Sequence, residues 1–344
     1  MSITAKELAE KLGLSAAAVS LALNNKPGVS TQTRQRVLDA ACQYGYDMTR
    51  ISVKKSAVRD IRFLIYKKHG AVVSDTAFFS ELFEGVSEGC KERDYRLTIQ
   101  YIYDSGDRLE HGSVRNSLEV QLEDLNVSAA NGVILLGTEL TADRFAAFSH
   151  IRVPFVVLDT YFENRTANYV LINNVQGAYL ATSYLIARTG AQPGYLRSSY
   201  SIGNFEERAH GFYNAVRAGG MSPSRSIVHR LSPSVEGAFA DMMELLEAGE
   251  ETAASYFADN DLIALGAMKA FKAKGYRIPE DVSIAGFDNI AYVNVFEPGL
   301  TTVHVPKKEL DRTAAFRLAE ILERGQDIPM KIEIATKLIK RKSA

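Results

Sequence analysis

The chain has 344 residues, 46% of them hydrophobic, and a formal net charge of −1, as expected of a soluble protein with two or three domains. Its two cysteines, Cys42 and Cys90, argue against a disulfide framework or a zinc site. The charged start MSITAKELAEKL argues against a signal peptide, and no apolar run reaches the roughly 18 residues of a membrane span. We therefore expect a cytoplasmic protein without membrane contact.

Charge is unevenly distributed along the chain. Nine basic and five acidic residues leave a net +4 through residue 60, so the remainder carries −5. A small basic head on an acidic body suits an anionic partner such as nucleic acid, although a merely solvated basic domain would have the same composition.

Three short helices are predicted at the start of the chain. Thr4 and Glu7 form a T-x-x-E capping box, and Gly13 is suited to end the helix that they begin. Ser15 and Ser30 are suited to cap the second and third helices. This spacing predicts a helix-turn-helix, whose second helix enters the major groove of DNA; the alternative is a three-helix module that binds protein.

The second helix, GLSAAAVSLALNN, presents two different faces. Its predicted buried side consists of Ala18, Val19, Ala22 and Leu23. Its predicted outer side consists of Ala16, Ala17, Ser20, Leu21 and Asn24. Alanine and leucine offer apolar contact to thymine methyl groups, and Ser20 offers one flexible hydrogen-bonding group.

The segment LSAAAVSLALNNKPGVSTQTRQRVLDAACQYGY resembles the DNA-binding head of the lactose-repressor (LacI/GalR) family. The resemblance implies that Ala16, Ala17 and Leu21 read bases. It also implies that four polar residues lie near phosphates: Ser15, Asn24, Ser30 and Thr33. Family members usually carry a polar side chain where Leu21 stands, so we expect weaker direct readout, or a preference for A·T pairs.

The following segment, YDMTRISVKKSAVRD, matches the family's hinge, which inserts a leucine into the minor groove. Here Asp47 and Met48 replace the usual proline, and Lys55 stands at the leucine position. A lysine cannot act as an apolar wedge, so we predict a basic connector in which Arg50, Lys54 and Lys55 neutralise phosphates.

From residue 61 strands alternate with helices. The predicted strands of the first series are RFLIYK, RLTIQYIY, GVILLG and FVVLD, and those of the second are GYLRS, SIVHRL, SYFAD and VSIAGFD. Near-continuous apolar strands are typical of buried parallel sheets, so two doubly wound α/β lobes are predicted, with a ligand site at the carboxyl ends of the strands. The motifs of dinucleotide binding, serine hydrolases, zinc proteases and phosphate loops do not occur, so we expect neither catalysis nor a cofactor or metal.

The segments NFEERAHGFYNAV, FADNDLIALGAMKAFKAKGYRIPEDVSIAGFDNIAYVNVFEPGLTTVHVP and LIKRKS resemble the effector-binding core of the same family. The resemblance implies two lobes that the backbone crosses three times, as in periplasmic sugar-binding proteins. The expected domains are a head at 1–46, a hinge at 47–60 and a body at 61–344. Within the body, the first lobe is expected at about 61–163 and 292–324, and the second at about 164–291 and 325–344.

The motif match carries over candidate effector ligands. Arg208 is the leading candidate, because a guanidinium can hold hydroxyls or an acid group bidentately; its alternative is an interlobe salt bridge. Asp288 is the second candidate, because its carboxylate can accept hydrogen bonds from two sugar hydroxyls. Asn260 is the third candidate ligand, although the neighbouring Asp261 could instead cap the next helix. Three further cleft candidates are Phe79, Asp159 and Phe296; for the two aromatic residues the alternative is a core role.

Together these patterns favour a homodimeric DNA-binding repressor that a small-molecule effector controls allosterically through operator affinity. Arg208 with Asp288 favours a sugar or sugar derivative as that effector, although the family resemblance leaves nucleobases and phosphorylated sugars open. Two alternatives remain open: a sugar-binding or sensing protein without a DNA role, and an α/β enzyme whose catalytic groups have not been found.

Overall fold

The computed structural model describes residues 3–23, 28–46, 59–68, 70, 72–73, 77–104, 118–127, 130–325 and 328–344. It divides into two compact units, 1–59 and 60–344. Four predicted DNA contacts lie outside the described residues: Asn24, Arg50, Lys54 and Lys55. The side chain of Phe79 also lies outside them, although its backbone belongs to a described helix.

The first unit contains helices α1 (Ala5–Leu12), α2 (Ala16–Leu23) and α3 (Thr31–Gln43). Thr4 and Glu7 form the predicted capping box, and Gly13 ends α1 with φ +64°. The hydroxyls of Ser15 and Ser30 accept N–H bonds at the starts of α2 and α3. The core of this unit includes Leu8, Val19, Ala22, Leu23, Val37 and Ala41, whereas Ala18 is only half-buried. The predicted helices and caps are therefore confirmed.

The second unit is built on two six-stranded sheets. The first has the order β11-β5-β4-β3-β1-β2 and is parallel throughout. Its strands are β1 (Asp60–Lys67), β2 (Arg96–Tyr103), β3 (Gly132–Leu136), β4 (Phe155–Leu158), β5 (Asn168–Ile172) and β11 (Lys331–Ile334). Helices α4 (Ala77–Glu92), α5 (Leu118–Val127), α6 (Ala142–Phe145) and α11 (Lys307–Arg324) accompany this sheet.

The second sheet has the order β12-β10-β9-β8-β6-β7, with only β12 antiparallel. Its strands are β6 (Gly194–Ser198), β7 (Val228–Leu231), β8 (Ser255–Ala258), β9 (Ser283–Asp288), β10 (Thr301–His304) and β12 (Lys337–Ile339). Its helices are α7 (Asn174–Thr189), α8 (Gly203–Ala218), α9 (Val235–Glu247) and α10 (Asp261–Ala273). The two doubly wound lobes are as predicted.

The predicted lobe boundaries are wrong at three places. β5, assigned to the second lobe, pairs with β4 of the first sheet. β10, assigned to the first lobe, pairs with β9 of the second, and β11 of the first sheet lies in a range assigned to the second lobe. These boundaries depend on which distant strand each segment hydrogen-bonds, and local patterning does not encode that choice. The backbone thus crosses between the sheets after β5, after β10 and after β11.

β2 was predicted as a buried strand, but in the structure it is an edge strand. It lies at the edge of the first sheet and pairs with β1 alone among the described strands. Its apolar residues therefore remain partly exposed, including Ile99 and Tyr101. No helix in the described parts of the chain is both long and apolar enough to cross a membrane.

Candidate functional site

The outer face of α2 is small and accessible. Ala16, Ala17 and Ser20 are exposed, and Leu21 is half-buried. Gly28 lies beneath Leu21, because a Cβ at Gly28 would be 3.2 Å from the Leu21 Cδ1 atom. A face this slim can approach base edges closely.

Ser15 and Ser30 occupy helix starts in the same unit. The Ser15 hydroxyl accepts the N–H of Ala18 at 3.1 Å, and the Ser30 hydroxyl accepts that of Thr33 at the same distance. Helix N-termini favour anions, so both starts are chemically suited to phosphate groups.

In the second unit, the predicted ligand Arg208 lies at the centre of a buried network. It projects from α8 and is 3% exposed. Its Nε donates to the Asn174 Oδ1 atom at 2.9 Å, and its Nη1 donates to the carbonyl oxygen of Asp259 at 2.5 Å. Its Nη2 lies 3.1 Å from the Oδ1 atom of Asp288, and its guanidinium stacks 3.8 Å from the centre of the Phe287 ring.

Asp288 ends β9 in a strained backbone conformation, with φ +103°. Burial raises the pKa of its carboxyl group, and the Arg208 charge opposes that rise. Its Oδ1 atom lies 3.1 Å from the Arg208 Nη2 atom and has no other donor among the described residues. This oxygen can accept a hydrogen bond from a ligand.

Asp159 bridges the two lobes. It follows β4 with φ +65° and accepts a hydrogen bond from the Thr138 hydroxyl at 2.6 Å. Its other oxygen accepts from the Asn204 amide of α8 at 2.9 Å. Burial raises the pKa of Asp159 to about 6, against the opposing effects of Thr138 and Arg208. The network around Arg208 thus extends to the first lobe through α8.

The other predicted cleft residues have structural partners. Asn260 caps α10, because its Oδ1 accepts the Ile263 N–H at 2.9 Å. Asp261 does not cap the helix; it accepts bonds from the Thr302 hydroxyl and the Ile290 N–H. Phe296 is half-buried against the core, as its alternative interpretation expected.

Asn174 and Asn204 were missed in the sequence analysis. Asn174 is the first residue of α7, where the chain crosses to the second lobe, and its amide also donates to Glu207 at 2.8 Å. Asn204 lies about one helical turn before Arg208 in α8. Asn204 opens the segment NFEERAHGFYNAV that resembles the family's effector-binding core, but its role depends on a contact with a distant segment, as does that of Asn174.

A further missed feature is the anchoring of the loop after β1. The two Glu139 carboxylate oxygens accept four backbone N–H bonds, from Lys68, Gly70, Val72 and Val73, at 2.8 to 3.1 Å. This loop forms part of the wall of an interlobe cavity of about 50 Å³. The cavity is lined by Lys68, Val72, Glu139, Thr141, Tyr200, Ser201 and Ile202.

Comparison with known proteins gives two family matches. Residues 4–47 match the model for bacterial regulatory proteins of the lacI family, and residues 184–344 match that for a periplasmic binding protein-like domain. The chain is 30% identical to the HTH-type transcriptional repressor PurR of Mannheimia succiniciproducens over 345 residues, covering 99% of this chain and 98% of that protein.

Two solved structures have a similar fold. The regulator CelR in complex with cellobiose is 24% identical with a TM-score of 0.72, over 99% of this chain and 100% of that one. The lac repressor dimer bound to operator and the anti-inducer ONPF is 21% identical with a TM-score of 0.70, over 100% and 99% of the two chains.

Proposed function

The chain belongs to the LacI family of bacterial regulatory proteins, and from this membership we propose that it is a homodimeric repressor whose operator affinity depends on a small molecule bound between its lobes. The effector we propose is a sugar or sugar derivative. One observation carries the effector site: Arg208 and Asp288 form a buried charge pair in the second lobe, and Asn204, one turn of α8 before Arg208, donates to Asp159 of the first lobe. A guanidinium beside a carboxylate can hold neighbouring hydroxyl groups.

We assign the roles to the expected domains: the head at 1–46 binds DNA, the segment at 47–60 connects, and the body from residue 61 binds the effector. In the head, Ala16, Ala17 and Leu21 contact bases, assisted by Ser20. The proposed phosphate contacts are Ser15, Asn24, Ser30, Thr33, Arg50, Lys54 and Lys55. Support comes from the exposure of the small α2 face and from the two capped helix starts.

Selection from random duplexes tests the DNA role. We expect the full chain to enrich two half-sites about one helical turn apart, since a dimer presents two recognition helices. The half-sites should be rich in A·T pairs, because Leu21 cannot pair with guanine. Band shifts of the enriched duplex should weaken steeply with salt. A G-rich half-site would contradict the assignment of Leu21 to base readout.

The same selection experiment distinguishes a repressor from the two alternatives, a sugar-binding protein without a DNA role and an enzyme. A sugar-binding protein without a DNA role would enrich no sequence, although it would still bind its ligand. An enzyme would instead consume a sugar, and turnover by the purified chain would support that alternative. The similarity to PurR, a transcriptional repressor, supports the proposal of a DNA-binding repressor.

Effector control is proposed to act through α8. One turn of this helix carries Asn204, which holds Asp159 of the first lobe, and Arg208, which holds Asn174 at the crossing. A ligand that binds Arg208, Asp288 and Asp159 would therefore favour one relative position of the lobes. Such coupling between ligand and DNA is typically worth about 1–3 kcal/mol.

A thermal-shift screen of sugars on the full chain tests the effector proposal. A ligand that binds only the folded protein raises the melting temperature, and its addition should then change the affinity for the selected duplex. A compound that binds without changing DNA affinity would contradict the proposed regulation while leaving the site intact.

Dimerisation is proposed to use the edge of the first sheet. β2 exposes Ile99 and Tyr101 by 46% and 38%, and an apolar edge strand is suited to a second copy of the chain. The lac repressor structure with a similar fold is described as a dimer, which supports the choice of partner.

Replacing Ile99 with Asp is expected to convert the dimer to a monomer, because a charge on this face would be buried without a partner. Light scattering after size-exclusion chromatography measures the change in mass. Val228→Asp is the matched control, since Val228 is 39% exposed on β7, the edge strand of the second sheet. Dissociation by the control and not by Ile99→Asp would place the interface on the second lobe.

A further inference from the structure

The interlobe cavity beside the loop after β1 is lined by residues other than Arg208 and Asp288. Its volume of about 50 Å³ exceeds the roughly 10–15 Å³ that one water molecule needs, but it is far below the roughly 300 Å³ of a pocket that encloses a whole ligand. The cavity therefore has room for one small chemical group. Both lobes supply its polar lining, the first with Lys68, Glu139 and Thr141 and the second with Tyr200 and Ser201.

Lys68 is the one cation among the described residues that line this cavity. Its backbone N–H donates to Glu139 at 2.8 Å, whereas its ammonium group has no hydrogen bond or ion pair with the residues that the structure describes. The Glu139 carboxylate is already occupied, because its two oxygens accept four backbone N–H bonds. A half-buried ammonium group without a partner favours an anion beside it.

Two neutral donors adjoin the same space. The Thr141 Oγ1 atom is buried and has no hydrogen-bond partner within the described parts of the chain. α8 begins at the cavity, since Ile202 lines it and directly precedes the helix. No side chain caps this start, so the N–H groups of the first turn of a 16-residue helix are available to an acceptor. An ammonium group, a hydroxyl and a helix start are together suited to a carboxylate.

The two acids nearest to these donors are paired or exposed. Glu206, in the first turn of α8, pairs with Arg197 and accepts a hydrogen bond from the Ser201 hydroxyl. Asp143 is exposed on α6, where the nearby Thr141 hydroxyl lowers the pKa of its carboxyl group. Ion pairing screens the first charge and solvent screens the second, so neither opposes a bound anion strongly.

The cavity adjoins the proposed effector site through two contacts between the lobes. Thr138, in the loop after β3 that also supplies lining residues, donates to Asp159 at 2.6 Å. A Cβ at Gly203 would lie 3.6 Å from the Thr160 Oγ1 atom, so the start of α8 meets the loop that carries Asp159. Arg208 lies five residues beyond Gly203, about 8 Å along the same helix. One small molecule can span this separation.

We infer that the effector is a sugar acid whose carboxylate binds in this cavity, against Lys68, Thr141 and the start of α8. This inference rests on the proposed effector site and specifies its ligand class. Hydroxyl groups of the same molecule bind Arg208 and Asp288. The carboxylate then joins the loop after β1 in the first lobe to α8 in the second, which favours one relative position of the lobes.

Matched sugar pairs test the inference on the full chain. Sodium D-glucuronate and D-galacturonate are compared with D-glucose and D-galactose by thermal shift at about pH 7, where carboxylic acids are ionised, with sodium chloride added to the neutral sugars. We expect the uronates to raise the melting temperature more than the neutral sugars do. Lys68→Gln should weaken uronate binding about 10- to 100-fold, because a hydrogen bond between two charged groups is lost.

Lys91→Gln is the matched control for charge. Lys91 is exposed in the last turn of α4 and does not line the cavity, so this variant should bind uronates like the parent chain. Equal shifts from uronates and neutral sugars, no shift from the uronates, or equal losses in Lys68→Gln and Lys91→Gln would overturn the inference and leave the proposed function standing. Failure of duplex selection would instead count against the proposed function.

Two further measurements identify the acid group and its second donor. D-glucose 6-phosphate should raise the melting temperature less than D-glucuronate does, because the cavity is small; a larger shift would overturn the choice of a carboxylate. Thr141→Val keeps the shape of the side chain and removes its hydroxyl, so it should weaken uronate binding by about 2- to 10-fold. Unchanged binding in Thr141→Val would contradict the assignment of Thr141 as a donor to the carboxylate.

Discussion

Replacing Arg208 with alanine is expected to abolish the effector response and to lower the free energy of unfolding of the α/β unit by about 3–5 kcal/mol. The substitution removes the buried cation beside Asp288 and leaves that carboxylate unpaired. It also removes the donors to the Asn174 side chain and to the Asp259 carbonyl group. Denaturant unfolding measures the loss of stability, and thermal shift with the effector measures the loss of effector binding.

Arg217→Ala is the matched control, because Arg217 lies in the last turn of the same helix and donates to the exposed Asn214 side chain. We expect this control to leave both stability and effector binding near the parent values. The folded fraction of Arg208→Ala should still bind the selected duplex, since the head is a separate compact unit. A normal effector response in Arg208→Ala would remove Arg208 from the site and leave it a purely structural residue.

The head was predictable because its signals are local. Thr4, Glu7, Ser15 and Ser30 each cap a helix within three residues of their own position, so sequence spacing alone identifies them. The lobes were predictable as a class for a similar reason, since buried parallel strands are nearly continuous apolar runs. Strand order and lobe membership were not predictable, because β5, β10 and β11 are placed by pairing with distant strands.

The structure joins two of the predicted ligands, because Arg208 pairs with Asp288, and it links Asp159 to the same helix through Asn204. The role of these residues as effector ligands stays a prediction, and the salt bridge of Arg208 lies within the second lobe.

Ala17→Asp is expected to weaken binding to the selected duplex about 10- to 100-fold, because a carboxylate would face the groove and its flanking phosphates without a partner. Ala17 is exposed on α2 and takes no part in the described core of the head, so the fold should be unaffected. Fluorescence anisotropy with the selected duplex measures the affinity, and circular dichroism checks the helices.

Gln43→Asp controls for the added negative charge. Gln43 is exposed at the last position of α3, ten residues beyond Thr33, which is about 15 Å along the helix from the proposed phosphate contacts. This variant should lose only the small part of the affinity that long-range repulsion accounts for, and that part should vanish at high salt. The Ala17→Asp loss should persist at high salt, because its cause is a contact at the groove. Equal losses in both variants, with the same salt dependence, would mean that α2 does not face DNA.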